Sequence, residues 1–138
     1  MASLKERVDA IEECYEFMLA YAAQGLPGDQ GSNSGSQLRH LLGRAAESLS
    51  GLASAYAAAV QQDNLEPSGH YEAFLAVLAR DAGDSLSALE LVLAQPTLSS
   101  QLIDNLNASI HLRALLTDVF LIDEILKLQG AAKPANGE

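Results

Sequence analysis

Apolar residues recur at alternating steps of three and four along four long stretches of this chain. That spacing returns to one face of an α-helix, so each stretch should form a helix with a single apolar seam. The predicted helices cover residues 3–25, 35–63, 69–95 and 97–129. Because the connections are short, consecutive helices should be antiparallel neighbours. The pattern therefore predicts an all-α, up-down-up-down antiparallel four-helix bundle.

Capping residues and prolines mark the expected ends of these helices. Ser3 and Glu6 have the spacing of an N-terminal capping box at the first helix. Ser34 and Gln37 repeat that spacing at the start of the second helix, and Thr97 is a suitable N-cap for the fourth. Each expected break contains a proline, and these are Pro27, Pro67 and Pro96.

A chain of 138 residues is expected to form one domain. We expect the bundle to occupy residues 1–130 and residues 131–138 to form a disordered C-terminal tail. Residues 26–35 are polar and glycine-rich, and we expect them to be the most mobile internal loop.

The net charge and the single cysteine indicate which partners and which cellular compartment to expect. Eighteen acidic residues against eight basic ones give a formal charge of −10, which repels phosphate backbones and argues against nucleic-acid binding. A basic protein partner is allowed. Charged residues interrupt the N-terminus where a signal peptide would be apolar, and no apolar run is long enough to span a membrane. The single cysteine cannot form an internal disulfide, so we expect a cytoplasmic protein without membrane association.

Three predicted helices carry apolar residues outside their main seams. On the fourth helix, Leu121, Ile125 and Leu128 lie more than about 100° from the main stripe. The others, on the third and first helices, are Leu86, Leu91, Leu93, Cys14, Phe17 and Tyr21. Surplus apolar surface of this kind predicts an interface, in a homodimer or with another helical protein. The alternative is a core face that is wider than one seam.

The residues that most often carry chemistry are far apart in the predicted topology. His40 lies near the start of the second helix, His70 begins the third at the opposite end, and His111 lies within the fourth. These positions cannot assemble a zinc or haem site in one chain, and the Glu-x-x-His pattern of di-iron bundles is absent. Cys14 has acidic neighbours that disfavour the thiolate. We therefore predict no catalytic residue, no metal and no cofactor within one chain, whereas a site across a dimer contact stays open.

One histidine has a more specific interpretation. His40 falls opposite the apolar seam, with Gly43 three residues and Arg44 four residues later. The run His40-Leu41-Leu42-Gly43-Arg44 resembles the His-x-Leu-Lys-Gly run of histidine phosphotransfer domains, with the glycine and the basic residue in exchanged order. The resemblance implies phosphorylation of His40, with Arg44 beside the phosphoryl group and Gly43 leaving room for a receiver domain. The main expectation is a non-enzymatic helical protein that acts as an adaptor, regulator or assembly factor, and phosphotransfer through His40 is the alternative.

Overall fold

The computed structural model describes residues 2–132, which form six helices and no strand. The helices are α1 (Leu4–Ala22), α2 (Asn33–Ser50), α3 (Leu52–Gln62), α4 (Ser68–Leu93), α5 (Ser100–Ala108) and α6 (His111–Ala132). The predicted all-α class is confirmed. The predicted four-helix bundle is not confirmed, because the second and fourth predicted helices are each divided in two.

The second predicted helix is divided at Gly51, which separates α2 from α3 with a non-helical φ of −118° and ψ of 5°. Arg7 of α1 lies against this residue, and its Nη1 donates to the carbonyl oxygens of Glu47 at 3.4 Å and Ser48 at 3.1 Å. A Cβ at position 51 would lie 2.8 Å from the Arg7 guanidinium nitrogens. The arginine thus bonds carbonyls at the C-terminus of α2, and it can do so because residue 51 has no side chain.

The fourth predicted helix is divided at Ser109 and Ile110, between α5 and α6. Ile110 has a φ of 62°, in the left-handed region that β-branched residues rarely adopt. The expected N-cap Thr97 is wrong: Ser99 caps α5, and its hydroxyl accepts the Leu102 N–H at 3.0 Å. No proline or glycine marks the 109–110 break, so the local pattern contained no signal for it.

The remaining boundaries follow the local signals more closely. The capping box of Ser3 and Glu6 is confirmed, with both reciprocal hydrogen bonds formed. The second predicted box is wrong, because Ser32 caps α2 by accepting the Gly35 N–H at 2.9 Å. The three prolines at the expected breaks lie outside the helices, as predicted. Residues 131 and 132 continue α6, and the rest of the predicted tail, 133–138, lies outside the described residues.

The core is built from apolar side chains of all six helices. Side chains with almost no exposed surface come from every long helix, and they include Ile11, Met18, Leu38, Leu42, Leu78, Leu89, Leu115 and Val119. The shorter helices add Leu52 and Tyr56 from α3 and Ile103 from α5. Among residues 2–132, no helix combines the length and apolar character needed to cross a bilayer.

The buried carboxylate of Asp29 joins the 26–35 loop to α2 and to the segment between α4 and α5. Asp29 accepts the Leu98 N–H at 2.6 Å and the Arg39 Nε–H at 2.5 Å. Arg39 also donates to the carbonyl oxygens of Leu93 at 3.2 Å and Gln95 at 2.9 Å, at the C-terminus of α4. The expected mobile loop is thus linked to the core through one buried carboxylate.

Two further groups tie the same segments to α1. The Tyr21 hydroxyl donates to the Leu98 carbonyl oxygen at 2.7 Å. The buried Ser100 hydroxyl donates to the Tyr21 carbonyl at 2.7 Å and accepts the Leu26 N–H at 2.8 Å. Polar groups at this end of the molecule are therefore buried with hydrogen-bond partners, as buried polar groups require.

Candidate protein-binding surfaces

The predicted interface residues lie in three different environments. Leu91, Leu121 and Leu128 are exposed. Phe17, Leu86 and Leu93 are half-buried against the core, and Ile125 is also half-buried. Cys14 and Tyr21 are fully buried within the chain. For Cys14 and Tyr21 the expected interface is therefore corrected to core, because neighbouring helices cover the second face of α1.

An exposed apolar stripe follows the outward side of α6. Leu121 and Leu128 are 52% and 59% exposed, and they follow Ala114 and Thr117 at steps of three, four and seven. Ile110, just before the helix, lines a shallow depression of about 280 Å³ together with Ala114 and Thr117. We call these five residues the α6 stripe. None of them is charged.

A groove lies between α1 and α6, next to the α6 stripe, with which it shares Thr117. Leu19 on α1 and Phe120 on α6 are each about half exposed, at 48% and 53%. They line a cavity of about 440 Å³, which also includes Tyr15, Leu116, Thr117, Glu12, Glu16 and Arg113. A second cavity of about 330 Å³ shares Glu12 and Phe120 with the first and extends to Leu4, Lys5, Val8, Asp9, Tyr56 and Asp123. The two cavities adjoin at these two shared residues, and we call them together the α1/α6 groove.

The rim of this groove is acidic. Lys5 is already paired with Asp9, with 2.7 Å between Nζ and Oδ2. Glu12 and Glu16 form no ion pair within the described residues. Burial raises the pKa of Glu12, and the neighbouring carboxylates of Asp9, Glu16 and Asp123 raise it further. The lining holds four carboxylates, and only Lys5 and Arg113 oppose them, so the groove carries a net negative charge.

The phosphotransfer candidate residues lie at the surface of α2. His40 and Arg44 are exposed, and Gly43 is half-exposed with open space where a side chain would stand. Arg44 is partly engaged, because its Nη1 lies 3.3 Å from Glu13 Oε1. The structure places these three residues together on one surface of α2.

Groups with catalytic or metal-binding potential are dispersed in the part of the chain that the structure describes. No three His, Cys, Asp or Glu side chains there are arranged to hold a metal ion. Burial, and then the charge of Glu13, raises the pKa of the Cys14 thiol to about 12. The thiol lies 3.7 Å from the Met18 sulfur. Cys14 is therefore a protonated core residue at neutral pH.

Two carboxyl contacts were not expected from the sequence. Asp123 accepts a hydrogen bond from the Tyr56 hydroxyl at 2.6 Å, which links α6 to α3. Asp118 on α6 meets Asp81 on α4, and burial together with this second carboxyl raises the pKa of Asp118. The sequence did show Asp118 and Asp123 as acidic residues within an apolar helix. The helical pattern alone does not predict which residue of another helix each of them contacts.

No protein-family model, no curated protein and no solved structure matches the chain.

Proposed function

We propose that this protein is a non-enzymatic helical protein that acts by binding other proteins, as an adaptor, regulator or assembly factor. We further propose that it self-associates through the α6 stripe and works in the cytoplasm. The single cysteine, which cannot form an internal disulfide, supports the cytoplasmic assignment. The observation that carries the binding proposal is the exposure of Leu121 and Leu128 on one side of α6.

The composition of the α6 stripe favours a second copy of this chain as its partner. A chain with a formal charge of −10 repels itself, so a self-contact is most favourable where the surface is uncharged. The stripe meets this condition, and the side chains lining its depression include both Arg113 and Asp118, of opposite sign. A twofold contact would bring the same apolar residues of both copies together.

The expected dimer is weak. Burying the exposed half of a leucine stabilises a contact by about 1 kcal/mol, half of the full value. Leu121, Leu128 and Ile110 from both copies would together contribute roughly 6 kcal/mol. Association costs about 4–15 kcal/mol in lost translational and rotational freedom. The two quantities are similar, so these contacts leave little net free energy, and dimers should form only at about millimolar protein concentration or above.

Sedimentation equilibrium over a range of concentrations tests this proposal. Wild-type protein should show a reversible monomer–dimer equilibrium. Leu121→Glu should abolish it, because the substitution brings two like charges into the contact. Leu19→Glu is the matched control, since Leu19 is similarly exposed but lies in the α1/α6 groove. A monomer at every concentration, or equal association of Leu121→Glu and wild type, would refute self-association through the stripe.

Phosphotransfer through His40 is a second candidate function. The exposed imidazole and the open surface beside Gly43 support it. Incubation with acetyl phosphate, followed by intact mass measurement, tests it directly. An acid-labile phosphoryl adduct that disappears in His40→Gln would establish phosphorylation at this residue. An unmodified mass would argue against it.

A further inference from the structure

We infer that the α1/α6 groove is a docking site for a basic amphipathic helix of another protein. This inference rests on the proposed function, that the protein acts by binding other proteins. It concerns a different partner from that of the α6 stripe, and a surface that shares only Thr117 with the stripe.

The length of the groove suits a helix. It runs along α1 from Leu4 to Leu19, which is roughly 22 Å at 1.5 Å per residue. A partner helix of about four turns would cover this distance and would insert apolar side chains at steps of three and four. Tyr15 and Leu19 provide apolar contacts at one end of the groove, and Leu4 and Val8 provide them at the other. Phe120 lines both cavities and therefore lies in the middle.

The charge of the rim determines the chemistry of the partner. Asp9, Glu12 and Glu16 lie on α1 at steps of three and four, so their carboxylates follow one side of the groove. Asp123 adds a carboxylate from α6, and Arg113 is the cation at the end near Leu19. A helix with lysines or arginines along the flank that faces α1 would compensate this charge.

Other occupants fit the groove less well. A second copy of this chain has a formal charge of −10, so it would bring more negative charge to an acidic rim. A nucleic acid or an anionic membrane surface would be repelled for the same reason. The Glu12 carboxylate would gain most from a partner cation, because it is half-buried, forms no ion pair within the described residues and lies near three other carboxylates.

The test uses two labelled peptides and the full chain. One peptide is an amphipathic helix of leucines and lysines, and the other has every lysine replaced by glutamate. Fluorescence anisotropy should show micromolar binding of the basic peptide and binding about tenfold or more weaker for the acidic one. Added salt should weaken the binding of the basic peptide. Equal binding of the two peptides would overturn the inference.

Variants locate the binding to the groove. Phe120→Ser should weaken binding of the basic peptide by about tenfold, because it removes the central aromatic contact. The double variant Glu12→Gln/Glu16→Gln should weaken binding and its salt dependence. Glu90→Gln/Asp104→Asn is its matched control, since it makes the same change in net charge at exposed positions outside the groove. Wild-type affinity in Phe120→Ser, or equal affinities of the two double variants, would refute docking in the groove.

A further variant separates this inference from self-association. Leu121→Glu lies outside the lining of the α1/α6 groove and should bind the basic peptide as wild type does. A protein that dimerises but fails to bind the peptide would refute the groove proposal alone. A protein that binds the peptide and stays monomeric would refute self-association alone.

Discussion

Replacement of Asp29 by alanine is expected to destabilise the fold by about 1.5–4 kcal/mol. The Asp29 carboxylate is the buried acceptor that joins the 26–35 loop to the segment between α4 and α5. It accepts from the Leu98 N–H at 2.6 Å and from Arg39 at 2.5 Å. Its side chain is only 6% exposed, so water cannot replace it without a rearrangement.

The magnitude follows from the two partners that the substitution leaves behind. A buried N–H without an acceptor costs about 1–3 kcal/mol, and the Leu98 N–H would be such a group. Arg39 would lose its carboxylate but is one-third exposed and keeps its bonds to two carbonyl oxygens. Its share is therefore nearer the value for a solvated ion pair, about 0.5–1 kcal/mol.

Urea denaturation followed by far-ultraviolet circular dichroism measures this loss. With an m-value of about 1.5–2 kcal/mol/M, the midpoint should fall by roughly 1–3 M. The matched control is Asp104→Ala, which removes the same charge from an exposed position on α5 and should change stability by less than about 0.5 kcal/mol. Equal midpoints for the two variants would refute the assigned role of Asp29.

The effect should also depend on pH in a defined direction. Hydrogen bonding from Arg39 and then from the Leu98 N–H lowers the pKa of Asp29 below its ordinary value of 3.8, against the opposing effect of burial. Stabilisation by a carboxylate with a lowered folded-state pKa is present above the unfolded pKa and is lost as pH falls through the folded pKa. The difference between wild type and Asp29→Ala should therefore shrink in acid. A difference that grows as pH falls would contradict the geometry.

Three further expectations use the same denaturation assay. Leu49→Ala should lower the free energy of unfolding by about 2–5 kcal/mol because Leu49 is buried, whereas His40→Ala should lower it by well under 1 kcal/mol. Equal losses would mean that the buried face of α2 is misassigned. Gly35→Ala should destabilise the fold by more than about 1 kcal/mol, since the new Cβ would lie 1.9 Å from a backbone oxygen. Gly43→Ala has open space around it and should stabilise the helix by about 0.5–1 kcal/mol. A Gly43→Ala variant less stable than Gly35→Ala would be inconsistent with this packing. Asp118→Asn should raise the free energy of unfolding at neutral pH but not below a pH of about 4, because a raised folded-state pKa makes the ionised carboxyl unfavourable in the fold. A lower free energy of unfolding for Asp118→Asn at neutral pH would contradict that direction.

Local patterns determined the helical character of the chain. The 3.6-residue period of apolar positions placed residues such as Leu38 and Leu42 in the core and His40 at the surface. The three prolines end the expected stretches because proline cannot donate the backbone hydrogen bond that continues a helix. The Ser3 capping box was predictable because all of its bonds lie within four consecutive residues.

Tertiary contacts decided the features that depend on distant residues. Arg7, which is far from Gly51 in sequence, bonds the end of α2 where the second predicted helix is divided. Neighbouring helices determined that Cys14 is core while Leu121 stays exposed, although both lie outside their main seams. Helical periodicity specifies how side chains are distributed around one helix. It cannot specify which sides another helix will cover, so the α1/α6 groove and the α6 stripe became distinguishable only once the helices were packed.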